Sequence, residues 1–417
     1  MAIDKICDID KCTGCEVCSQ ACAHSAINMM PDAEGFLRPS VDSARCVACG
    51  ICQLRCPVNT PVVGVERPLK IYSGWSMDEQ IRMESSSGGA FTEIARLTLS
   101  SGGVVFGAVM DKDARARHVF IEDEKGLSML RGSKYVQSVI GNTYKQARGF
   151  LQQGRQVLFS GTPCQIAGLR DFLHKKYDNL TTVDIICHGV PSPKVFDDYK
   201  AYIENVIKER ITSVKFRLKK SSWIFFSMGI NPRAEKDGAI KYSYTGSYYA
   251  DPYIRAFLRD NILRPNCYHC RYASTERVSD FTIADWWGYK GVSALDKDFD
   301  RKGVSLVMCN TEKAANMVKA LDMWLKERTL EDALRTNLSL RQPFPEPDTR
   351  NEFWEDYARL PFSEMVRKWM YPEKIPLSRY IRIYHRKQHF LYHVTNLYER
   401  IINKLRLKKL IIKIKAK

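Results

Sequence analysis

Cys12, Cys15, Cys18 and Cys22 follow one another as C-x2-C-x2-C-x3-C. The same spacing returns 34 positions later as Cys46, Cys49, Cys52 and Cys56, the last followed by Pro57. Three thiolates on one short loop can grip three corners of an iron-sulfur cube, while the fourth, carried onto a helix, points toward the other cluster. The expected ligation is therefore crossed, with Cys12, Cys15, Cys18 and Cys56 holding one 4Fe-4S cluster and Cys46, Cys49, Cys52 and Cys22 the second. Zinc also takes four thiolates, but from C-x2-C pairs, and has no use for three evenly spaced cysteines followed by a fourth. Such clusters pass single electrons, so the module implies redox work without naming a substrate.

Four more cysteines sit at loop ends. In "SGTPCQIAGLR", Cys164 follows Pro163 where an apolar strand gives way to a helix, and the amide-rich helix start favours a thiolate there. Nucleophile and metal ligand are both open readings. Cys187 ends "TTVDIIC" before "HGVPSP", and "RPNCYHCRY" supplies Cys267 and Cys270. Spacing alone is compatible with one more cluster and equally with a buried pair beside a small zinc site. "ESSSGGAF", residues 84 to 91, is a serine-glycine turn leading into a helix, suited to a pyrophosphate or to plain helix capping. It is neither G-x-G-x-x-G nor a P-loop, so nicotinamide or ATP binding of the usual kinds is not indicated. "RGSKYVQS" places Lys134 beside Tyr135, a cation and an aromatic suited to a phosphate and a flavin ring, or to an ordinary turn and strand. His188 could donate a proton to a reduced product or simply bond backbone in its loop. Trp286 and Trp287 in "IADWWG" could cover a cofactor or fill a core.

These residues need a scaffold, and from Lys70 onward strand and helix signals alternate. "KIYSGWS", "GVVFGAVM", "QVLFSG" and "TTVDIIC" read as strands, with "GGAFTEIARLTLSS", "GNTYKQARGFLQQG" and the segments after Pro163 and Pro193 as helices. Mixed α/β (α+β) architecture follows. The expected divisions are 1–66 for a two-cluster domain, 67–155 and 156–330 for two parts of the α/β region, 331–375 for a helical segment and 376–417 for a basic tail.

At 417 residues, with 45% hydrophobic and 27% charged side chains, the chain reads as two or three globular domains. Its start has no apolar signal region and no later run reaches the roughly 18 apolar residues of a membrane span, so a cytoplasmic location is expected. Fourteen cysteines then read as metal or redox chemistry rather than disulfides. The net charge of +17 is uneven, with −3 in residues 1–66 and +11 in residues 376–417. That tail suits an anionic membrane surface, an acidic partner or, last in rank, nucleic acid, as well as a solvated helix.

The opening module resembles the bacterial two-cluster ferredoxins, with one departure: Ala23 follows Cys22 where a proline is usual. "SSSGGAFTEIA", "GSKYVQS", "SGTPCQIAGL", "CHGVPSP" and "NCYHCRY…SDFTIADWWG" together resemble the coenzyme F-420 hydrogenase/dehydrogenase beta-subunit family over roughly residues 70 to 330. The resemblance implies FAD bound by an α/β domain and a further 4Fe-4S cluster in the same subunit. By motif it assigns that cluster to Cys164, Cys187, Cys267 and Cys270, and the flavin pocket to Ser87, Gly88, Gly89, Lys134, Tyr135 and Gln137. Cys7 and Cys309 are left as buried or incidental thiols.

The implied activity is an iron-sulfur flavoprotein oxidoreductase acting on an organic small molecule or a deazaflavin-like coenzyme, with ferredoxin or another redox protein as electron donor or acceptor. The rival readings are a non-catalytic electron-transfer subunit of a larger complex and a cluster-stabilised nucleic-acid-binding protein. Association of this architecture with surface-polysaccharide synthesis would suit a membrane-side tail.

Overall fold

The apolar runs after Lys70 become the strands of one large sheet. The computed structural model describes residues 2–61, 67–220, 222–235, 240–287 and 302–370. The described residues all fall within one compact unit. The basic tail at 376–417, with its proposed membrane contact, lies outside the described residues.

The strands run in chain order as β1 (Ile27–Pro31), β2 (Leu37–Val41), β3 (Lys70–Ser76), β4 (Val104–Met110), β5 (Ala116–Ile121), β6 (Val157–Gly161), β7 (Leu180–Ile185), β8 (Val214–Leu218), β9 (Ser227–Ala234), β10 (Ile240–Ser247), β11 (Phe281–Asp285), β12 (Ser305–Cys309) and β13 (Met323–Glu327). β1 and β2 form a hairpin in the N-terminal module, and β10-β9-β8 a three-stranded antiparallel sheet. The remaining eight make a mixed sheet ordered β13-β3-β12-β11-β7-β6-β4-β5. Its inner pairs β11–β7, β7–β6 and β6–β4 are parallel, while both margins are antiparallel.

The parallel strands are apolar on both faces because helices cover both. Val105, Leu158 and Val183 pack with Ile94, Ala95 and Leu99 of the Ala90–Ser100 helix. Val104, Phe106, Val157 and Phe159, on the other face, pack with Tyr144, Ala147 and Leu151 of the Thr143–Gln152 helix and Ile166, Ala167 and Leu169 of the Pro163–Leu173 helix. Alternate residues of each strand thus belong to separate cores, and each fully buried side chain stabilises by about 1.5–3 kcal/mol. Cys15 and Val17 of the N-terminal module join the second core.

The strands and helices expected from the sequence appear within two residues of their anticipated ends. The division expected at residue 155 falls between β4 and β6, which pair directly, so the two parts of the family region share one sheet. "RGSKYVQS" forms no strand. No helix among the described residues is long and apolar enough to cross a membrane.

Gly88 locks the serine-glycine turn onto this sheet. Its N–H donates to Ser305 Oγ at 2.8 Å, and its carbonyl accepts from Ser76 N–H at 2.8 Å. A Cβ there would stand 2.4 Å from the Gly74 carbonyl oxygen and 2.7 Å from Ser305 N, both rigid backbone. Gly88→Ala is therefore expected to lower stability by about 1–3 kcal/mol. Gly149→Ala, at a helical site with nothing within 4 Å of the new methyl, should instead stabilise by about 0.5–1 kcal/mol. Unfolding midpoints of the two variants check the contrast.

Candidate functional site

In the N-terminal module each half of the cysteine repeat closes on a short helix, Val17–Ala21 and Ile51–Leu54. Left-handed Glu16 and Gly50 precede them and turn the thiol-bearing loops back on themselves. Cys12 and Cys56 both lie beside Cys18, whose thiol is pushed up first by burial and then by those neighbours. Cys15 is likewise buried beside Cys18 and Cys56. Cys52 in turn has Cys49 and Cys22 as neighbours. Cys56, the fourth cysteine of the second half, thus stands with Cys12, Cys15 and Cys18 of the first, and Cys22 with Cys52 of the second. Cys46 Sγ accepts from Ile3 N–H at 3.5 Å, and Cys49 is exposed. The Cys22 group therefore lies nearer the surface than the Cys12 group.

Cys7, left unassigned by spacing, is buried beside Cys12 and Cys56 and shares hydrogen bonds with both. Its thiol holds that of Cys12 down to about 5, with burial opposing and the Arg264 and Arg38 charges assisting. Cys309 is a buried strand residue of the sheet core.

The module is fastened to the larger sheet by side chains reaching for backbone. Glu16 accepts from Ile140 N–H at 2.8 Å and Gly141 N–H at 3.1 Å. Gln20 Oε1 accepts from Tyr144 and Lys145 N–H, the second and third amides of the Thr143–Gln152 helix, whose own Asn142 supplies no side-chain cap. The cap of a body helix thus comes from the ferredoxin-like module. Tyr144 Oη donates to the carbonyls of Cys15 and Gln165 at 3.1 and 2.8 Å, tying the first thiol group to the helix that carries Cys164. One turn along that helix, Gly168 leaves room for Cys15, whose Sγ would stand 3.1 Å from a Cβ at that position.

Cys164, Cys187, Cys267 and Cys270 come together around one small cavity. They arrive from the carboxyl ends of neighbouring parallel strands, Cys164 after β6 and Cys187 after β7, and from the Pro265–His269 turn. Buried Arg277 secures that turn: Nη2 pairs with Asp184 at 3.0 Å and Nη1 donates to the Tyr272 and Ser274 carbonyls. Val190 N–H donates to Cys267 Sγ at 3.4 Å. The helix start was expected to favour a Cys164 thiolate, but burial pushes that thiol up to about 11, with the Thr162 hydroxyl opposing and Cys270 adding. Desolvation thus outweighs the helix end at Cys164. Among the described residues no group is arranged to hold a single metal ion. Four thiols at the corners of a cube stand farther apart than four around one ion.

A larger cavity of about 510 Å³ opens on the other side of Cys164 and Cys187. It lies in the usual range for cofactor and ligand pockets, about 300–1,000 Å³. Ser87, Gly89, Lys134, Tyr135 and Gln137 line it; Gly88 does not, being pressed against the sheet. Gln137 Oε1 accepts from Leu37 N–H at 3.1 Å, while its buried Nε2 has no protein partner and remains a donor for a ligand. Lys134 Nζ donates to the carbonyls of Met129, Leu130 and Arg131, so its charge serves the end of the Leu127–Leu130 helix, and burial lowers its pKa to about 7. The Tyr135 ring packs against Phe257 and Phe216, with centroids 5.0 and 5.7 Å away. Ser86, not singled out by the sequence, accepts from Ser133 N–H at 2.8 Å and joins the two expected flavin segments.

Arg217, Phe226, Phe257 and Phe344 of the wall escaped sequence reasoning. Arg217 of β8 pairs with Asp285 at the end of β11, and Phe226, Phe257 and Phe344 give apolar surface. His188 lies in both cavity walls, bonds Asp260 Oδ1 through Nε2 at 2.6 Å rather than backbone, and stacks on Phe344 at 3.9 Å. Trp287 lines the cavity and stacks on Trp223, whereas Trp286 is core. A signal for the Arg217 and His188 partners was absent because each partner is remote in sequence and unremarkable in type.

Comparison with known proteins adds identity to this geometry. Residues 71–143 match the family model described as "Coenzyme F420 hydrogenase/dehydrogenase, beta subunit N-term", residues 154–332 the companion model for the carboxyl-terminal part of that same beta subunit, and residues 11–60 a "4Fe-4S dicluster domain". A chain in the structure titled "Xenon derivatization of the F420-reducing [NiFe] hydrogenase complex from Methanosarcina barkeri" is 16% identical, with a TM-score of 0.43, over 70% of this chain and 94% of that one. No curated protein gave a significant match.

Buried His118, in the cavity wall, gives a pH test. Its Nε2 lies 3.0 Å from the Ser160 carbonyl and Nδ1 2.8 Å from Ser138 Oγ. Burial lowers its pKa from 6.5 to about 4. The folded state thus refuses a proton that the unfolded chain accepts. Stability present above pH 6.5 should be lost progressively as pH falls toward 4, by up to about 3 kcal/mol. Urea midpoints across that window should fall more steeply for the parent chain than for His118→Gln.

Proposed function

The chain belongs to the coenzyme F420 hydrogenase/dehydrogenase beta-subunit family, with a 4Fe-4S dicluster domain in front, and from this site we propose that it is an FAD-dependent iron-sulfur oxidoreductase. Electrons from ferredoxin or another redox protein pass the Cys22 group, the Cys12 group and a third cluster on Cys164, Cys187, Cys267 and Cys270. The carrying observation is that Cys164 and Cys187 belong to the walls of both the small thiol-lined cavity and the 510 Å³ cavity. A cofactor in the larger space would meet the third cluster with no intervening layer of protein.

Bound FAD supplies the exchange between one-electron carriers and a two-electron organic substrate. The chain's own groups suit its binding. Ser87, Gly89 and the first amides of the Ala90–Ser100 helix face the cavity as a phosphate site. Gln137 Nε2 is a buried donor without a protein acceptor. Phe226, Phe257 and Trp287 supply flat apolar surface that excludes water. The Arg217–Asp285 pair gives the opposite wall fixed charges for orienting a polar substrate. Exposed Cys49 marks the end of the path where a redox partner docks most closely. A cytoplasmic setting suits twelve ligand thiols that must stay reduced until iron arrives.

Anaerobically purified protein should show flavin absorbance and about 12 iron atoms per chain if three 4Fe-4S clusters are full. Cys164→Ser should lose about four of them and leave the N-terminal clusters in place. Protein without flavin, or a Cys164→Ser variant with full iron, would overturn this assignment. Whether the isolated chain turns over an organic substrate with reduced ferredoxin separates an enzyme from an electron-transfer subunit of a larger assembly.

A further inference from the structure

Between the Cys12 group and the Cys164 group lies a buried cation that has no ion-pair contact among the described residues, Glu16 acting on it only at longer range. Arg264 is 1% exposed. Its Nη1 donates to the Leu37 carbonyl at 3.3 Å, and its guanidinium lies 4.8 Å from the Phe36 ring centroid. Nε and Nη2 have no hydrogen-bond acceptor, and among the described residues no carboxylate stands at ion-pair distance. An unpaired buried guanidinium carries a large desolvation cost, so its environment must supply negative charge.

Both neighbouring thiol groups would supply it as ligated thiolates. On one side the guanidinium presses on Gly14, between Cys12 and Cys15, where a Cβ would stand 2.6 Å from Nη2 and 2.8 Å from Cζ. On the other, Arg264 lines the small cavity with Cys164, Cys187, Cys267 and Cys270, and its carbonyl accepts from Cys267 N–H at 2.8 Å. Gly14 has φ +65, a left-handed turn, and lacks the side chain that would expel the guanidinium. One unpaired donor, Nη2, therefore lies against the loop of Cys12 and Cys15, and the residue itself borders the loops of the third thiol group.

We infer that Arg264 is a positioning residue shared by the first and third clusters: its charge and free N–H groups offset both, raise both reduction potentials and let an electron cross between them. The inference rests on the cluster assignment proposed above. A four-thiolate cluster is anionic and gains one further negative charge when it accepts one electron from the redox partner. A fixed cation and hydrogen bonds to sulfur favour that reduced form. Arg264 itself forms and breaks no bond.

The test is an EPR-monitored redox titration of the anaerobic holoprotein, with iron counted in each sample. Arg264→Gln at full iron should make two of three clusters harder to reduce, by at least tenfold in the ratio of reduced to oxidised form at a fixed potential, about 59 mV for one electron. The cluster of Cys46, Cys49, Cys52 and Cys22 should not move. Arg264→Lys, which keeps the charge, should restore most of the shift. If Arg264→Gln loses iron, Gly14→Ala, which displaces the guanidinium without removing it, should move the same two potentials the same way. Full iron with all three potentials unchanged in Arg264→Gln or in Gly14→Ala overturns the inference alone. A parent protein with only about eight iron atoms removes the third cluster, and the inference falls with the proposed function.

Discussion

Asp184 ends the buried run of β7, and its Oδ1 is held by Arg277 Nη2 at 3.0 Å and Thr282 Oγ1 at 2.6 Å. Arg277 reaches in the same plane to the carbonyls of Tyr272, Ser274 and Ile185. This one buried pair therefore joins three things: the strand that leads to Cys187, the neighbouring strand β11, and the turn that bears Cys267 and Cys270. Two charges taken out of water need such partners to repay their desolvation, and Arg277 has all of its nitrogens engaged, while Asp184 Oδ2 is buried without a hydrogen-bond partner. The register follows from the same place, with Gly161 of β6 opposite Asp184 and Asp184 opposite Thr282. A slip of one residue would turn every core side chain of β7 to the wrong face.

Around that frame the thiols share an electrostatic problem. Burial raises Cys15, Cys18, Cys164, Cys187, Cys267 and Cys270, because a thiolate in an apolar surrounding lacks water. Metal ligation requires the deprotonated form, so binding of iron and burial of the thiols are thermodynamically coupled. The Val190 N–H aimed at Cys267, 3.4 Å away, eases the same burden.

Local signals in the sequence were strong where one residue type at fixed spacing does the chemistry. The eight repeat cysteines, the strand–proline–helix junction at Cys164 and the C-x2-C at Cys267 could all be read directly, since ligand spacing and helix starts are local properties. The strands β4 and β6 were legible because two-sided burial writes a run of apolar residues. What stayed hidden depends on contacts between distant segments. Arg264 looks like any arginine before a proline, and only the fold shows that Gly14 stands against it. Lys134 reads as a phosphate ligand until the Leu127–Leu130 helix is seen to end on its ammonium. The joining of both family segments into one sheet was concealed by the long stretch of chain between β3 and its partners β12 and β13.

Gln20 caps a helix more than a hundred residues away, and Glu16 binds the two amides just before it. A helix whose second and third amides find their acceptor in another module frays when that module is absent. The dicluster part is therefore a poor cassette for recombination. A foreign ferredoxin spliced in its place would bring its own iron yet leave the Thr143–Gln152 helix open at its start, on the face of the sheet where Cys164 begins. Inheritance of the two parts as a pair is what this stitching favours.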